Sequence, residues 1–243
     1  MKFKHNILLS QKDVEKGLKF PEEMSPEIAE IIGIHFGDGS MGKYKTTYKI
    51  RYSFNLRDKL YVDYVSLLFL KVFNVFMKRI EFSNTHCIEL YCISKSLCTF
   101  FNEILLVPYS PKKDLKIPEY IMNNPEYLKS FIRGLFDTDG CFVIQRDGKY
   151  SYPMVKICTG SRSFAINIDF ALKSLSMQSY ISRKKTGYDI VVKRKKSYEM
   201  FLSIIKPKNT RGNRYGDAEI RTQINRSGGD CSSLVILHPL DNN

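Results

Sequence analysis

The strongest constraint on this chain is a pattern that occurs twice. Ser25-Pro26-Glu27 and Asn124-Pro125-Glu126 each spell a helix start, with an N-cap, a proline at the first helical position and an acid at the positive end of the helix dipole. Each predicted helix then carries a small residue every four positions, Gly33 and Gly37 in one and Gly134 and Thr138 in the other. Each ends in an acid followed by glycine, Asp38-Gly39 and Asp139-Gly140. Small residues at that spacing give a helix a flat stripe, and two such stripes let helix backbones approach closely. The chain is therefore expected to fold around a helix pair with Gly33, Gly37, Gly134 and Thr138 at the contact.

Close pairing would bring the two helix ends side by side, and each end carries a carboxylate. That is the wrong sign for the negative end of a dipole. A hard divalent cation shared by Asp38 and Asp139, Mg²⁺ with Mn²⁺ as a substitute, would remove the conflict. The plainer alternative is that each Asp-Gly is only a turn, with glycine as the C-cap.

What surrounds each acid is also repeated. Residues 41–55 and 141–159 have strand character, and residues 47–55 alternate cleanly. Thr47, Lys49, Arg51, Ser53 and Asn55 take one side, while Tyr48, Ile50, Tyr52 and Phe54 take the other. Asp147-Gly148 signals a hairpin in the second half. Apolar stripes predict helices over 57–74 and 161–175, followed by two more short strands and a further helix in each half. The grammar is helix, hairpin, helix, hairpin, helix, given twice, which is an α+β chain of two similar halves. The boundaries read as an N-terminal extension over 1–24, a first half over 25–107, a proline-rich linker over 108–124, a second half over 125–211 and a loose Gly/Ser-containing tail over 212–243.

Charge points to a partner. The 38 Lys and Arg exceed the 25 Asp and Glu, for a net charge of +13 over 243 residues, and such an excess favours a polyanion, most commonly nucleic acid. Candidate contacts are Lys43, Lys45, Lys49 and Arg51 in the first half. Gln145, Arg146, Lys149, Tyr150, Lys156, Arg183, Lys185, Lys193 and Arg194 are their counterparts in the second. No apolar run is long enough for a membrane span, and no leader is evident. The six cysteines form no C-x-x-C pair and have no zinc-type spacing to histidine. A soluble intracellular protein, cytoplasmic or nucleoid-associated, is expected.

The two nonamers at the helix ends, IIGIHFGDG at 31–39 and IRGLFDTDG at 132–140, resemble the LAGLIDADG motif of homing endonucleases, and the likeness extends over roughly residues 25–210. It implies two pseudo-symmetric αββαββα halves, with the motif helices at their interface and antiparallel sheets forming a DNA-binding saddle. It further implies a monomer that cuts both strands of a long asymmetric DNA site, one phosphodiester per strand, leaving 3′ overhangs. Asp38 and Asp139 would be the catalytic and metal-binding acids, with Gly37 and Thr138 beside them in the metal set. Lys113, from the Lys112-Lys113 pair, would be a catalytic cation that stabilises charge on the phosphorane or helps to order water, with its counterpart among Lys208, Arg211 and Arg214. Asn55, with Thr159 as counterpart, would lie near the water network. Asp137 is expected to be a structural hydrogen-bonding group and His35 a packed or surface histidine. An intron-encoded or free-standing nuclease fits better than an intein, because the chain starts at Met1 and lacks a His-Asn end. The alternative is a non-catalytic relative, an RNA maturase or transcription regulator, although both motif acids are present.

Overall fold

The computed structural model describes residues 1–112, 115–147 and 150–209, with backbone alone at 146, 147, 150 and 151. Lys113, Lys149, Arg211, Arg214, the tail over 212–243 and the side chains of Arg146 and Tyr150 thus lie outside the described residues.

The first half follows a short helix α1 (Gln11–Glu15). It contains helix α2 (Pro26–Gly37), strands β1 (Gly39–Tyr44) and β2 (Thr47–Asn55), helix α3 (Lys59–Phe73), strands β3 (Lys78–Phe82) and β4 (Cys87–Ile93), and helix α4 (Lys95–Thr99), which runs into a π-helical turn at Phe100–Ile104. A one-turn helix α5 (Glu119–Met122) precedes the second half. This repeats the order as α6 (Pro125–Asp139), β5 (Gly140–Asp147), β6 (Tyr150–Thr159), α7 (Arg162–Ser174), β7 (Ser179–Lys184), β8 (Gly187–Val192) and α8 (Lys195–Ile205). Each half has one antiparallel four-stranded sheet, ordered β1-β2-β4-β3 and β5-β6-β8-β7. The expected α+β architecture of two like halves is the observed one.

The caps read from sequence form as expected. Ser25 Oγ accepts from the Ile28 amide, and Asn124 Oδ1 accepts from the amides of Glu126 and Tyr127. Along β2, Ile50, Tyr52 and Phe54 are buried while Lys49, Arg51, Ser53 and Asn55 face the other way. The register carries that parity across the sheet, pairing Arg51 with Tyr91 and Ser53 with Glu89. One face of each sheet packs on helices. The other is open.

The segment over 1–24 is fastened to the first half. Asp13 is 1% exposed and accepts hydrogen bonds from Ser10 Oγ and Ser96 Oγ at 2.7 and 3.0 Å. Phe20 stacks on Phe100, and Asn74 Nδ2 donates to the Gly17 carbonyl at 2.8 Å. The linker is fastened too, through Ser110, whose amide donates to the Met41 carbonyl and whose Oγ accepts from the Met41 amide.

Candidate active site and DNA-facing surface

The site is built on α2 and α6, which run against each other along the small-residue stripe. A Cβ added at Gly33 would stand 2.1 Å from the Phe131 carbonyl oxygen, and one at Gly134 would stand 2.2 Å from that of Glu30. These contacts are reciprocal, because Gly33 lies over Phe131 and Gly134 over Glu30, as a two-fold relation between the halves requires. One turn on, a Cβ at Gly37 would meet Thr138 Oγ1 at 2.0 Å and the Asp139 carboxyl carbon at 3.4 Å. The Asp139 carboxyl thus lies against the residue that precedes Asp38, and the two acids share one end of the helix pair.

The glycines after the acids are present for space. Asp38 itself closes α2, at φ −82° and ψ 0°, and Gly140 follows α6 at φ −102°. Neither Gly39 nor Gly140 has the left-handed backbone of a glycine C-cap. A Cβ at Gly39 would instead sit 2.6 Å from His35, and one at Gly140 would sit 2.2 Å from the Phe136 ring. Glycine lets each strand leave directly across its own helix, which holds each acid where helix becomes strand.

Among the described residues, the lysine that reaches this end is Lys112. Its ammonium donates to the carbonyl oxygens of His35, Phe36 and Gly37, each at 2.8 Å, and so caps the end of α2 with all three of its protons. A cation is thereby placed where the sequence required one. Burial pushes the Lys112 ammonium down to about 8, opposed by the charges of Asp139 and Asp38. Burial likewise pushes the Asp139 carboxyl up to about 6, with Lys112 pulling it back. Two facing groups each disfavoured in their charged form indicate a site short of solvent, where an added cation would find a strong field. Among the described residues no group of three or more His, Cys, Asp or Glu side chains comes together. Asp38 and Asp139 are the carboxylates this site offers, and hard oxygen donors of this kind suit a divalent cation that completes its shell with water and phosphate.

Several expected members of the site have other duties. The Gly37 carbonyl is engaged by Lys112, and Thr138 Oγ1 bonds back to the carbonyls of Gly134 and Leu135 at 3.1 and 2.9 Å. Asn55 Oδ1 accepts from the Arg57 amide at 3.0 Å, and Thr159 Oγ1 from the Ser161 amide at 3.2 Å, so both close the turn that follows their strand. Asp137 is buried and accepts from the amides of Lys208 and Asn209 at 2.9 and 3.1 Å, which locks the chain after α8 onto α6. His35 is fully buried against Tyr52, with Nδ1 and the tyrosine hydroxyl 3.1 Å apart, and burial takes its pKa down to about 3. It is a neutral packing residue near neutral pH.

The open faces separate the DNA-contact candidates. Lys49 and Arg51 lie on the open face of the first sheet, with Lys49 over the Tyr91 ring and Arg51 near that of Tyr44. Lys156, Gln145 and Lys193 lie on the open face of the second, where Lys193 reaches the Tyr152 ring. Lys43 does not join them. The register places it opposite Tyr48, with the parity of buried Met41, so it points to the other face. Arg183, paired with Tyr188, is turned away for the same reason. Lys45 and Lys185 occupy hairpin tips. Arg194 is the N-cap residue of α8 and shares a shallow pocket with Lys173 and Gln178. Lys184, in the basic block 183–185 whose parity the sequence leaves open, is the member of β7 in that block that lies on the open face. Counting alternation through the Gly187 turn is what would have found it.

Comparison with known proteins bears on the fold. Residues 126–206 match the family model described as LAGLIDADG-like domain. A variant of the homing endonuclease I-DmoI superimposes with a TM-score of 0.53 at 19% identity, over 75% of this chain and 97% of that one. I-DmoI solved in complex with DNA and Ca gives 0.52 at 19% identity, over 74% and 88%. A double mutant of I-SmaMI gives 0.57 at 12% identity, over 84% and 93%. Among curated proteins, a glutamine–fructose-6-phosphate aminotransferase of Methanocaldococcus jannaschii is 27% identical over 198 residues, 77% of this chain. An uncharacterised protein of the same organism is 24% identical over 176 residues, 68% of this chain. The chain spans 17% and 62% of the lengths of these two relatives. Residues 126–206 thus match a LAGLIDADG-like domain, and across both halves the chain has the fold of the I-DmoI and I-SmaMI structures.

Proposed function

We propose that this chain is a site-specific endonuclease that hydrolyses both strands of double-stranded DNA, one phosphodiester per strand. The observation that carries the reading is the shared helix end, where two acids from different halves share one end of the helix pair beside a half-buried lysine. Two equivalent half-sites at one point suit two strands, and two open basic sheet faces suit the duplex on either side. The I-DmoI structures solved with DNA and with Ca or Mn are consistent with such a role.

Asp38 and Asp139 would hold the divalent cation, Mg²⁺ or Mn²⁺. When bound, the cation lowers the pKa of the attacking water, polarises the phosphoryl oxygen and steadies the leaving oxyanion. Lys112 keeps the end of α2 in place and contributes positive charge towards the phosphate, although its three protons are committed to carbonyls. The glycine stripe fixes the separation of the acids. The open faces bind the duplex, and their long cations give affinity that falls with salt. A single chain with unequal halves acts as a monomer on a long asymmetric site and leaves 3′ overhangs, in keeping with an intron-encoded or free-standing homing nuclease.

The test is cleavage of a randomised-site plasmid library in Mg²⁺ followed by sequencing of the ends. Asp38→Asn and Asp139→Asn are each expected to abolish cleavage of the selected site while leaving DNA binding in place. Retained cleavage in both variants would refute the assignment. A wild type that binds DNA but never cuts it would favour a non-catalytic relative.

A further inference from the structure

Each open sheet face carries an acid at its centre, at equivalent positions in the two halves. Glu89 on β4 pairs with Ser53 and Ile80, and Asp189 on β8 pairs with Cys158 and Ser182. Each immediately precedes the buried aliphatic, Leu90 or Ile190, that pairs with the strand partner of the motif glycine. Both acids are 13% exposed in their side chains, and both hold two bases. Glu89 contacts Lys49 closely and has Arg51 at 3.7 Å. Asp189 has Lys184 at 3.4 Å and Lys156 at 3.9 Å, with Cys158 Sγ at 3.5 Å.

A surface that only had to bind phosphates would be better without them. Each carboxylate repels the polyanion and occupies two cations that could otherwise displace counterions. What a carboxylate adds is of another kind. It accepts from the exocyclic amine of cytosine in the major groove, and it orients neighbouring bases whose donors match guanine O6 and N7. Arg51 is held at both ends, because its Nε also donates to Ser40 Oγ at 3.0 Å. Side chains fixed before binding lose less rotamer freedom on contact, and that favours reading of base edges over loose phosphate contact.

Resting on the proposed nuclease reading, we infer that Glu89 and Asp189 are specificity-determining residues, one per DNA half-site. Each sets its pair of bases to recognise G·C pairs in the major groove. The partners differ: Lys49 and Arg51 sit on one strand, whereas Lys156 and Lys184 come from strands on either side of β8. The two half-sites therefore have different preferred sequences.

The test compares full-length wild type, Glu89→Gln and Asp189→Asn, which keep side-chain size and remove the charge. Binding in Ca²⁺ is measured on the selected target and on a scrambled duplex over a salt series, and base preference is read from libraries randomised in one half-site at a time. Each variant is expected to bind scrambled DNA more tightly, with a salt slope steeper by about one to two as two cations are released to phosphates. Each is also expected to lose about ten-fold or more of its preference at G·C positions in one half-site. Preference in the other half-site should persist, which shows that the variant is folded. Wild-type preference in both half-sites with an unchanged salt slope would overturn the inference and leave the nuclease reading standing. A wild type that bound neither duplex would overturn both.

Discussion

Replacing Gly134 by alanine tests the arrangement on which everything else depends. The new Cβ would stand 2.2 Å from the Glu30 carbonyl oxygen and 2.8 Å from the Ile34 amide nitrogen. That is roughly 1 Å or more inside ordinary van der Waals contact. The obstructing atoms are backbone of the partner helix, so no side chain can rotate away and the helices must separate. Overpacking of this kind costs about 1–3 kcal/mol, and rigid backbone puts it near the upper end. Alanine's better helix propensity returns up to about 1 kcal/mol, which leaves a loss of about 2 kcal/mol. For a chain of this size that corresponds to a fall in Tm of about 4–8 °C. Cleavage should suffer more, since a displacement of about 1 Å in the reacting groups can cost on the order of 100-fold. Gly160→Ala is the control, because a Cβ there meets nothing within 4 Å. It should be neutral or slightly stabilising. Thermal unfolding and single-turnover cleavage of the three proteins decide the matter. If Gly134→Ala matched Gly160→Ala in both, the close helix pairing would be wrong.

Three further expectations concern Lys112, Asp137 and Asp13. Lys112→Met should free the Asp139 carboxyl to rise above about 6, because Lys112 opposes the effect of burial. The acid limb of divalent-metal binding, followed by titration at a series of pH values, should then move to higher pH, and an unmoved limb would remove Lys112 from the site. Asp137, raised to about 7 by burial, has a folded pKa above its ordinary 3.8. Its stabilising effect is complete below 3.8 and is lost as pH rises through about 7. The Tm of metal-free wild type relative to Asp137→Asn should therefore fall between pH 5 and pH 8, and a constant difference would contradict the burial of that carboxyl. Asp13→Ala should lower Tm without touching DNA binding, by the roughly 1–3 kcal/mol of a broken buried hydrogen-bond group. An unchanged Tm would mean that the N-terminal segment is not fastened through this residue.

The parts of the fold that were legible in sequence are those with a period or a cap. The motif helices, their glycine stripe and the alternation along β2 each repeat a geometric unit, so the residues alone expose them. The site around the acids was legible only as far as the helices reach. Lys112 lies in a proline-flanked connector without periodicity, and its place against the end of α2 depends on Ser110 pinning the linker to Met41. Lys43 and Arg183 were misplaced for a simpler reason. Parity reverses across a tight turn, and the pairing of Tyr44 with Thr47 puts Lys43 opposite Tyr48 rather than in line with Lys49. Glu89 is passed over by a search for bases, and Asp189 stands out in sequence only as the one acid among the seven bases of 183–196. Asn55 and Thr159 were found by position, but a short polar side chain at a strand end can equally close a turn, and here each closes one.

The lysine cap on α2 has a consequence for modularity. The chain divides into two halves that look exchangeable, yet the cation beside the paired acids belongs to neither. It is contributed by the connector, which reaches back across the first half to close a helix already completed some 75 residues earlier. A chimera that joined this first half to a foreign second half through a new linker would keep both acids and the glycine seam but leave three carbonyls at the end of α2 uncapped. The smallest transferable unit is therefore the first half together with its tether, and swaps should be cut after residue 112, not at the apparent boundary near 107.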